Sequence, residues 1–488
     1  MANFVFEQDI FQHKFIQADG FKNRAKSTVA DCDSICPNNT DNANVYRGYT
    51  AVQLLADTLH NVFGEVLSIK KSLDIEKNLK AQMLEQIEFE EDDLKKVFSD
   101  IIDSLYFDKA NCSNASSAAL LRYLPASKQK DFGKFVYDVF LDTETRNKLS
   151  QVICDGSNPL DDMVNMAYSN LNVLQKISEK KEYSRVFGGD LEELFILMNK
   201  DFRAALDNNS DAMFELEFLF AYYLFIYLSQ IAMRVDKDLD GDNTIVFPLF
   251  KGAKEAVSED RECVTAGWRR VEKKTQKLFK HMIVLNMLNC HTNDTPYYTY
   301  SELYQLYADN PEERAEMDKA VDYIIEQYTV KHEHDTDVAG VNVDFSQIEY
   351  PNEEEPALQF KKKVKYLFEC VSLQLDSKNY RQNVVSYVAG NYSHILKMRF
   401  VKSWGQLGQM MMIANEDLIT MILICQRTSE RMNNERGLQI GDMFYEFERR
   451  GLCMDGKTRQ FVIDYLIRIN LIDSKCDSEE AQYVKRIQ

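Results

Sequence analysis

From Thr50 onward, apolar residues return every three or four positions, the spacing of helices buried along one face. Val52, Leu55, Leu59, Val62, Phe63 and Val66 form the first stripe, and Thr50 with Gln53 fits a capping box. Asn158 and Pro159 open another helix as cap and first turn, with Leu160, Met163, Val164, Ala167, Leu171 and Leu174 on its apolar face. Further stripes follow to about Val235. The longest apolar run, 218–233, contains Ser229 and Gln230 and follows Glu215 and Glu217. A membrane span needs about 20 apolar residues, so a core helix is expected here and no membrane association. A long helix is expected over 268–289, then an extended piece at 297–300 with Ser301 capping the next helix. No fixed-period repeat runs through the chain.

Two stretches break this periodicity. Residues 21–47 are polar and irregular. Residues 331–358 hold Glu333, Asp335, Asp337, Asp344, Glu349, Glu353, Glu354 and Glu355 together with Pro351 and Pro356. The expected organisation is therefore a mainly α, multi-domain protein: an N-terminal helical domain at 1–250, a middle helical domain at 251–330, an acidic linker or loop at 331–358, and a C-terminal domain at 359–488.

Composition supports the helices. The 488 residues include only 18 glycines and 8 prolines, less than half the average share of about 12%, and sheet-rich folds need many such turn residues. A net charge of −19 excludes a uniformly basic nucleic-acid coat but permits a local basic face. Ten scattered cysteines, several in apolar helical context, fit reduced thiols in a cytoplasmic protein. The first residues carry neither a basic region nor an apolar stretch, so no secretory signal is expected.

Several motifs invite chemistry and each has a plainer explanation. Gly451-Leu452-Cys453-Met454-Asp455-Gly456-Lys457-Thr458 satisfies the phosphate-loop pattern. However, the residues before it, 442–450, have helical rather than strand spacing, and only 30 residues follow Thr458. Nucleotide binding is rejected on that basis. Residues 236–242 resemble the start of a calcium loop, but its twelfth position is Phe247 rather than a bidentate Glu. His332-Glu333-His334-Asp335 and the pair Cys32 and Cys36 lack four ligands at zinc spacing and read as solvated turns. Asp131-Phe132-Gly133 matches a kinase magnesium motif without its companions. No catalytic, cofactor or metal site is expected.

Charge placement is more informative. At 100° per residue, Arg269, Arg270, Lys273, Lys274, Lys277, Lys280 and His281 share one arc, and Trp268, Val271, Leu278, Phe279 and Met282 share the opposite one. Two explanations remain open: a solvated face neutralised internally by a segment such as Glu88, Glu90, Glu91, Asp92 and Asp93, or a docking face for a nucleic-acid backbone or acidic partner. Residues 360–404 carry a second basic stretch, net +7, with Tyr366, Tyr380, Tyr387 and Tyr392 interleaved; the tyrosines are expected in the core.

The last 75 residues, about 414–488, have the order of a winged helix. Asn415 caps a first helix, Leu438-Gln439-Ile440 is a strand, 441–450 is a second helix ended by Gly451, and Asp455 caps a third helix to about Asn470. Strands at 471–475 and 482–485 then flank an acidic turn. The third helix is expected to bury Val462, Tyr465, Leu466 and Ile469 and to expose Lys457, Gln460, Asp464 and Arg468. Lys457, Gln460, Arg468 and Lys475 are the candidate contacts of this module, either with DNA or with a protein.

Arg450-Gly451-Leu452, Asp455 and the run Asn470-Leu471-Ile472-Asp473-Ser474-Lys475-Cys476-Asp477-Ser478-Glu479-Glu480-Ala481-Gln482-Tyr483-Val484-Lys485 resemble the end of the DptG (DndG) family. The chain departs from that family's Lys-Ser-Asp-Ser-Gly-Asp-Ala-Gln-Tyr-Val ending at Cys476 and at Glu479-Glu480. Tyr298–Glu302 and Leu303 are compatible with it. The resemblance implies a cytoplasmic, non-catalytic subunit of a bacterial anti-phage restriction complex that acts on DNA lacking phosphorothioate modification. It also implies DptF-like and DptH-like ATPase or helicase-type partners, and leaves open an accessory or assembly role on the one hand and contact with double-stranded DNA on the other. The other open reading is a winged-helix regulator or helical scaffold from another pathway.

Overall fold

The fold comes from a computed structural model that describes residues 4–16, 35–38, 44–67, 75–103, 121–122, 131–154, 159–171, 174–177, 182–186, 191–207, 212–236, 245–246, 257–291, 297–334, 343–376, 384–433, 435–472 and 482–487. Among these, helices dominate and the strands form only two-stranded pairs.

The first long helix, α1 (Ala51–Phe63), begins where the Thr50 hydroxyl accepts a hydrogen bond from the Gln53 amide and stops at Gly64, whose φ of 65° is left-handed. Next come α2 (Ile75–Glu85), α3 (Asp92–Ile102), α4 (Asp131–Phe135), α5 (Thr143–Cys154) and α6 (Pro159–Leu171). Strand β1 (Glu65–Leu67) pairs antiparallel with β2 (Leu174–Lys176). Helices α2, α3 and α6 enclose a satellite core of Leu79, Met83, Ile102, Val164, Ala167 and Tyr168.

The centre is built on α7 (Glu192–Leu206) and α8 (Ala212–Asp236). α8 is apolar on nearly every side, so it is stable only inside a core. It is long and apolar enough to cross a membrane, and 94% of its most apolar window is buried within the chain. Its tyrosines keep their hydroxyls bonded: Tyr222 donates to the Arg450 carbonyl at 2.9 Å and Tyr227 to the Val186 carbonyl at 2.9 Å.

α9 (Trp268–Leu288) and α13 (Val384–Leu396) pack on α8, α11 (Arg314–His334) and α12 (Pro356–Gln374) pack on α9, and α10 (Tyr300–Asp309) packs on α12. The cap of α10 is Thr299, not Ser301: Thr299 and Glu302 form a reciprocal capping box, which places Ser301 inside the helix. Over 343–355 the acidic segment is held against the body. Val343 and Phe345 are buried, the Gln359 amide donates to the Pro351 carbonyl at 2.8 Å, and Lys362 pairs with Glu353.

The C-terminal part contains a hairpin of β4 (Val401–Ser403) and β5 (Gln409–Met411), then α14 (Asn415–Thr428), α15 (Ile440–Arg449) and α16 (Gly456–Arg468). The cap of α14 is Ala414, one residue before the expected Asn415. Short strands punctuate this part. β6 (Leu438–Gln439) pairs antiparallel with β8 (Tyr483–Val484), and β7 (Leu452–Cys453) pairs in parallel with β3 (Ile245–Val246). The Lys485 amide also donates to the Leu471 carbonyl at 2.8 Å. One apolar core runs from Phe11 to Val484, and apart from the satellite a small separate cluster of Cys263, Val264 and Met410 lies beside the β4–β5 hairpin.

Buried charge ties the C-terminal part to the N-terminal helices. Arg450 is fully buried and bonded to Asp201 and Glu446. Arg399 bridges Glu217 and Asp417, and Arg427 meets Glu215.

Candidate interaction surface

α9 sorts its side chains as the helical wheel requires. Trp268, Val271, Leu278, Phe279 and Met282 are buried, while Arg269, Lys273 and Lys277 are exposed and Arg270, Lys274 and Lys280 are half-buried. The exposed arc is narrower than the sequence implied, because α12 covers one edge. His281 is buried under that cover, stacked on Phe368 at 4.0 Å and 13°, with Nδ1 3.3 Å from the Tyr300 hydroxyl. It belongs to the core rather than to the basic arc. Lys280 lies along the same seam and donates to the Ser372 carbonyl at 3.4 Å. Burial lowers its pKa, Asp376 opposes the shift, and Lys277 adds to it.

At the other end, Arg269 donates to the Leu407 carbonyl of the β4–β5 hairpin at 3.1 Å. Glu272 turns aside to pair with Lys397 at 3.2 Å, and the Lys397 ammonium lies 5.2 Å from the Trp268 ring centre. Among the described residues, no ion pair joins 88–93 to α9. That acidic segment lies at the start of α3, beside the satellite core.

The second basic stretch is largely consumed inside the fold. Lys363 is buried and pairs with Asp322 at 2.8 Å and Asp318 at 3.8 Å. Arg399 is tied to Asp417 and Glu217, and Lys397 to Glu272. Lys378 and Arg381 lie outside the described residues. Lys402 is exposed on the β4–β5 hairpin, and Lys365 is 68% exposed beside Glu369. Tyr392 is buried and Tyr366 packs against Tyr350 and the core, whereas Tyr380 lies outside the described residues.

α16 presents Lys457, Gln460, Asp464 and Arg468 to solvent, with Gln460 donating to Asp464 at 2.8 Å. Val462, Tyr465 and Leu466 are buried. Ile469 is not: the helix ends at Arg468, Asn470 turns left-handed at φ 64°, and Ile469 is left 39% exposed at the cap. Lys475 lies outside the described residues.

The start of α16 explains the phosphate-loop pattern. Helix α15, not a strand, precedes Gly451, whose φ of 83° ends that helix. The Thr458 amide donates to the chain's own Asp455 at 2.8 Å. Arg261 grips the same carboxylate at 2.6 and 3.1 Å and donates to the Thr458 hydroxyl at 2.8 Å. Burial disfavours the Asp455 charge, but these bonds outweigh it and hold the carboxyl well below the ordinary range. The helix N-terminus is thus occupied by an internal carboxylate and its arginine partner.

The remaining motifs also resolve into packing. At Gly133 an added Cβ would lie 2.4 Å from the Asp57 Cβ, so the glycine allows α4 to cross α1 closely. His332 sits in the last turn of α11, not in a solvated turn. It is buried, with its ring 4.4 Å from that of Tyr328. Cys36 is buried with its sulfur 3.2 Å from the Tyr392 hydroxyl. Cys32, Asp335 and 237–244 lie outside the described residues. Among the described residues, no three His, Cys, Asp or Glu side chains are grouped to hold a metal.

Sequence reasoning missed the concavities, one of about 390 Å³ beside Arg234, Glu448 and Arg449 and a second, smaller one with an aromatic wall. α9, α10 and α12 enclose a cavity of about 290 Å³ whose wall includes Lys277, His281, Tyr300, Tyr304, Lys365 and Phe368. Only the lysines left a signal, within their basic runs. The aromatic wall exists because helices distant in sequence converge. No family model matches the chain, and a search of curated proteins finds no match.

Proposed function

We propose that this chain is a non-catalytic, helical accessory subunit of a bacterial DNA restriction complex, docking ATPase-type partners and touching the DNA backbone through α9. The observation that carries this reading is the solvent-facing row Arg269, Lys273 and Lys277 on an otherwise acidic protein. Successive members lie one turn apart, a spacing that lets several ammonium and guanidinium groups meet consecutive phosphates. The DptG-like ending supplies the pathway: restriction of DNA lacking phosphorothioate, beside DptF-like and DptH-like subunits.

The same reading takes the C-terminal part as winged-helix-like. Its support is the order α14, β6, α15, α16, β8, together with the pairing of β6 with β8 and the bond from the Lys485 amide to the Leu471 carbonyl. In such modules the third helix is the usual reader, and α16 exposes Lys457, Gln460 and Arg468 there. Asp464 sits in the middle of that face and opposes phosphates, so α16 is assigned to a partner protein and α9 to DNA.

The test has two arms. Reversing Arg269, Lys273 and Lys277 to Glu should abolish duplex binding at moderate salt. Neutralising them to Gln should lower the slope of log affinity against log salt by about 3, near 0.9 per phosphate contact. Native pull-down should recover ATPase-type subunits, and substitution of Lys457 and Arg468 should release them without changing duplex affinity. Unchanged duplex binding in the α9 variant rejects the DNA assignment. Loss of DNA binding on substituting α16 instead favours a winged-helix regulator.

A further inference from the structure

The cavity between α9, α10 and α12 adjoins the α9 row, since Lys277 belongs to both. Besides the aliphatic Val235 of α8 and Val364 of α12, its walls are of two kinds. One is aromatic: Tyr300 and Tyr304 lie nearly parallel at 14°, and Phe368 is backed by His281 at 4.0 Å. The other is cationic: Lys277 and Lys365 line it, and the Lys361 ammonium sits 5.3 Å from the Tyr304 ring centre. Glu369 also lines it, 3.8 Å from Lys365.

An inorganic anion gains nothing from flat aromatic walls, and a purely apolar ligand gains nothing from lysines at the rim. A ligand with a flat ring and an attached anion uses both. At about 290 Å³ the cavity lies at the small end of ligand sites, with room for one ring system and none for a base pair within a duplex. From this geometry we infer that the cavity receives one unpaired nucleotide of a DNA strand, its base against Tyr304 and its phosphate on Lys277 and Lys365. A strand following the α9 row reaches the mouth at Lys277. This inference rests on the DNA-contacting role proposed for α9 and adds to it a preference for unpaired strand.

Fluorescence anisotropy of the full chain with a labelled single strand of about 12 nucleotides and with the matching duplex tests it. The wild type should bind the single strand more tightly. Tyr304→Ala should weaken single-strand binding about tenfold and leave duplex binding within about twofold, because stacking is lost while backbone contacts remain. Lys365→Glu alters an exposed side chain that the fold does not need, so it decides the matter if Tyr304→Ala fails to fold; it should act in the same direction. Tyr304→Phe should retain binding. Equal affinity for both strand forms, or equal effects of Tyr304→Ala and Lys365→Glu on both, overturns the cavity assignment. If the α9 charge variant still loses duplex in that case, the row keeps its role. If neither form binds the wild type, the α9 role fails as well, and the cavity assignment falls with it.

Discussion

Replacing Arg450 with Met should be the most damaging single change in this protein that leaves its surface untouched. A guanidinium has five N–H donors, and all five are spent. Nε donates to Asp201 Oδ2 at 2.7 Å. Nη2 donates to Asp201 Oδ1 at 2.8 Å and to the Thr428 hydroxyl at 2.9 Å. Nη1 donates to Glu446 Oε2 at 2.7 Å and to the Glu446 carbonyl at 3.0 Å. Methionine fills much of the same volume, so the loss is electrostatic rather than a cavity. Asp201 would remain fully buried with Tyr223 as its donor, and Glu446 with Ser429 and Arg449. Breaking a buried pair this way costs about 3–5 kcal/mol, because an uncompensated charge stays inside. Urea denaturation followed by circular dichroism measures it. A double-mutant cycle with Asp201→Leu isolates the pair: the double variant should be more stable than Arg450→Met alone, with a coupling of at least about 2 kcal/mol. Wild-type Glu446 adds a pH signature. Burial opposes its charge, but bonds from Arg450 and Ser429 outweigh that and lower its pKa. Its stabilisation is therefore present above the ordinary carboxyl pKa and is lost as pH falls below it. Arg450→Met should remove that acid-side decline. A loss under about 1 kcal/mol, or a double variant no better than the single one, would refute this account of the network.

Two further outcomes follow from single sites. Burial, aided by neighbouring Lys331, pulls the His332 pKa down to about 3, below its unfolded value. Its neutral form is therefore favoured by folding, so stability is full above about pH 6.5 and falls by about 2 kcal/mol on acidification to pH 5. Denaturation of His332→Phe across that range should show a flatter profile, and an unchanged slope would remove His332 as its source. Gly437 has a φ of 99°, and a Cβ there would lie 2.0 Å from the Val484 carbonyl oxygen. Gly437→Ala should part β6 from β8 and expose the Ile440 amide, which donates to the Gln482 carbonyl, to hydrogen exchange, while exchange in α8 stays slow.

The helices were legible because a buried face repeats with the helical period, and the residues marking those faces in α1, α9 and α16 are mostly the buried ones. The exceptions lie at helix ends, where packing no longer sets the face: Ile469 escapes burial, and Ser301 loses the cap to Thr299. The spending of charge was not legible. Lys363 and Arg399 count equally with Lys365 in a local sum, yet the first two reach carboxylates on α11 and on α8 and α14. Such pairs join residues far apart in sequence, and no periodicity encodes them. Short motifs misled for a related reason. The glycines in Asp131-Phe132-Gly133 and at Gly451 answer to a close approach by Asp57 and Ile226, so their recurrence in a chemical pattern reflects backbone geometry.

This division of charge bears on what the surface can do. Beside the buried Lys363 with Asp322, arginines make the interior ion pairs Arg450 with Asp201, Arg427 with Glu215, Arg399 with Asp417, and Arg261 with Asp455. The planar fork suits a buried carboxylate, since two parallel bonds offset the desolvation of both groups. Each such pair is neutral overall, so burying it leaves the net charge of −19 unchanged, and attraction to an approaching phosphate rests on local rows of positive charge. The exposed α9 row retains mainly lysines, compact point charges on flexible stems. Lysines of that kind grip a phosphate backbone without choosing a sequence, and their grip weakens steeply with salt. On the proposed DNA-contacting reading, affinity and choice would be separate duties: the α9 row would supply affinity, and discrimination between DNA forms would fall to a shaped site such as the aromatic cavity beside Lys277.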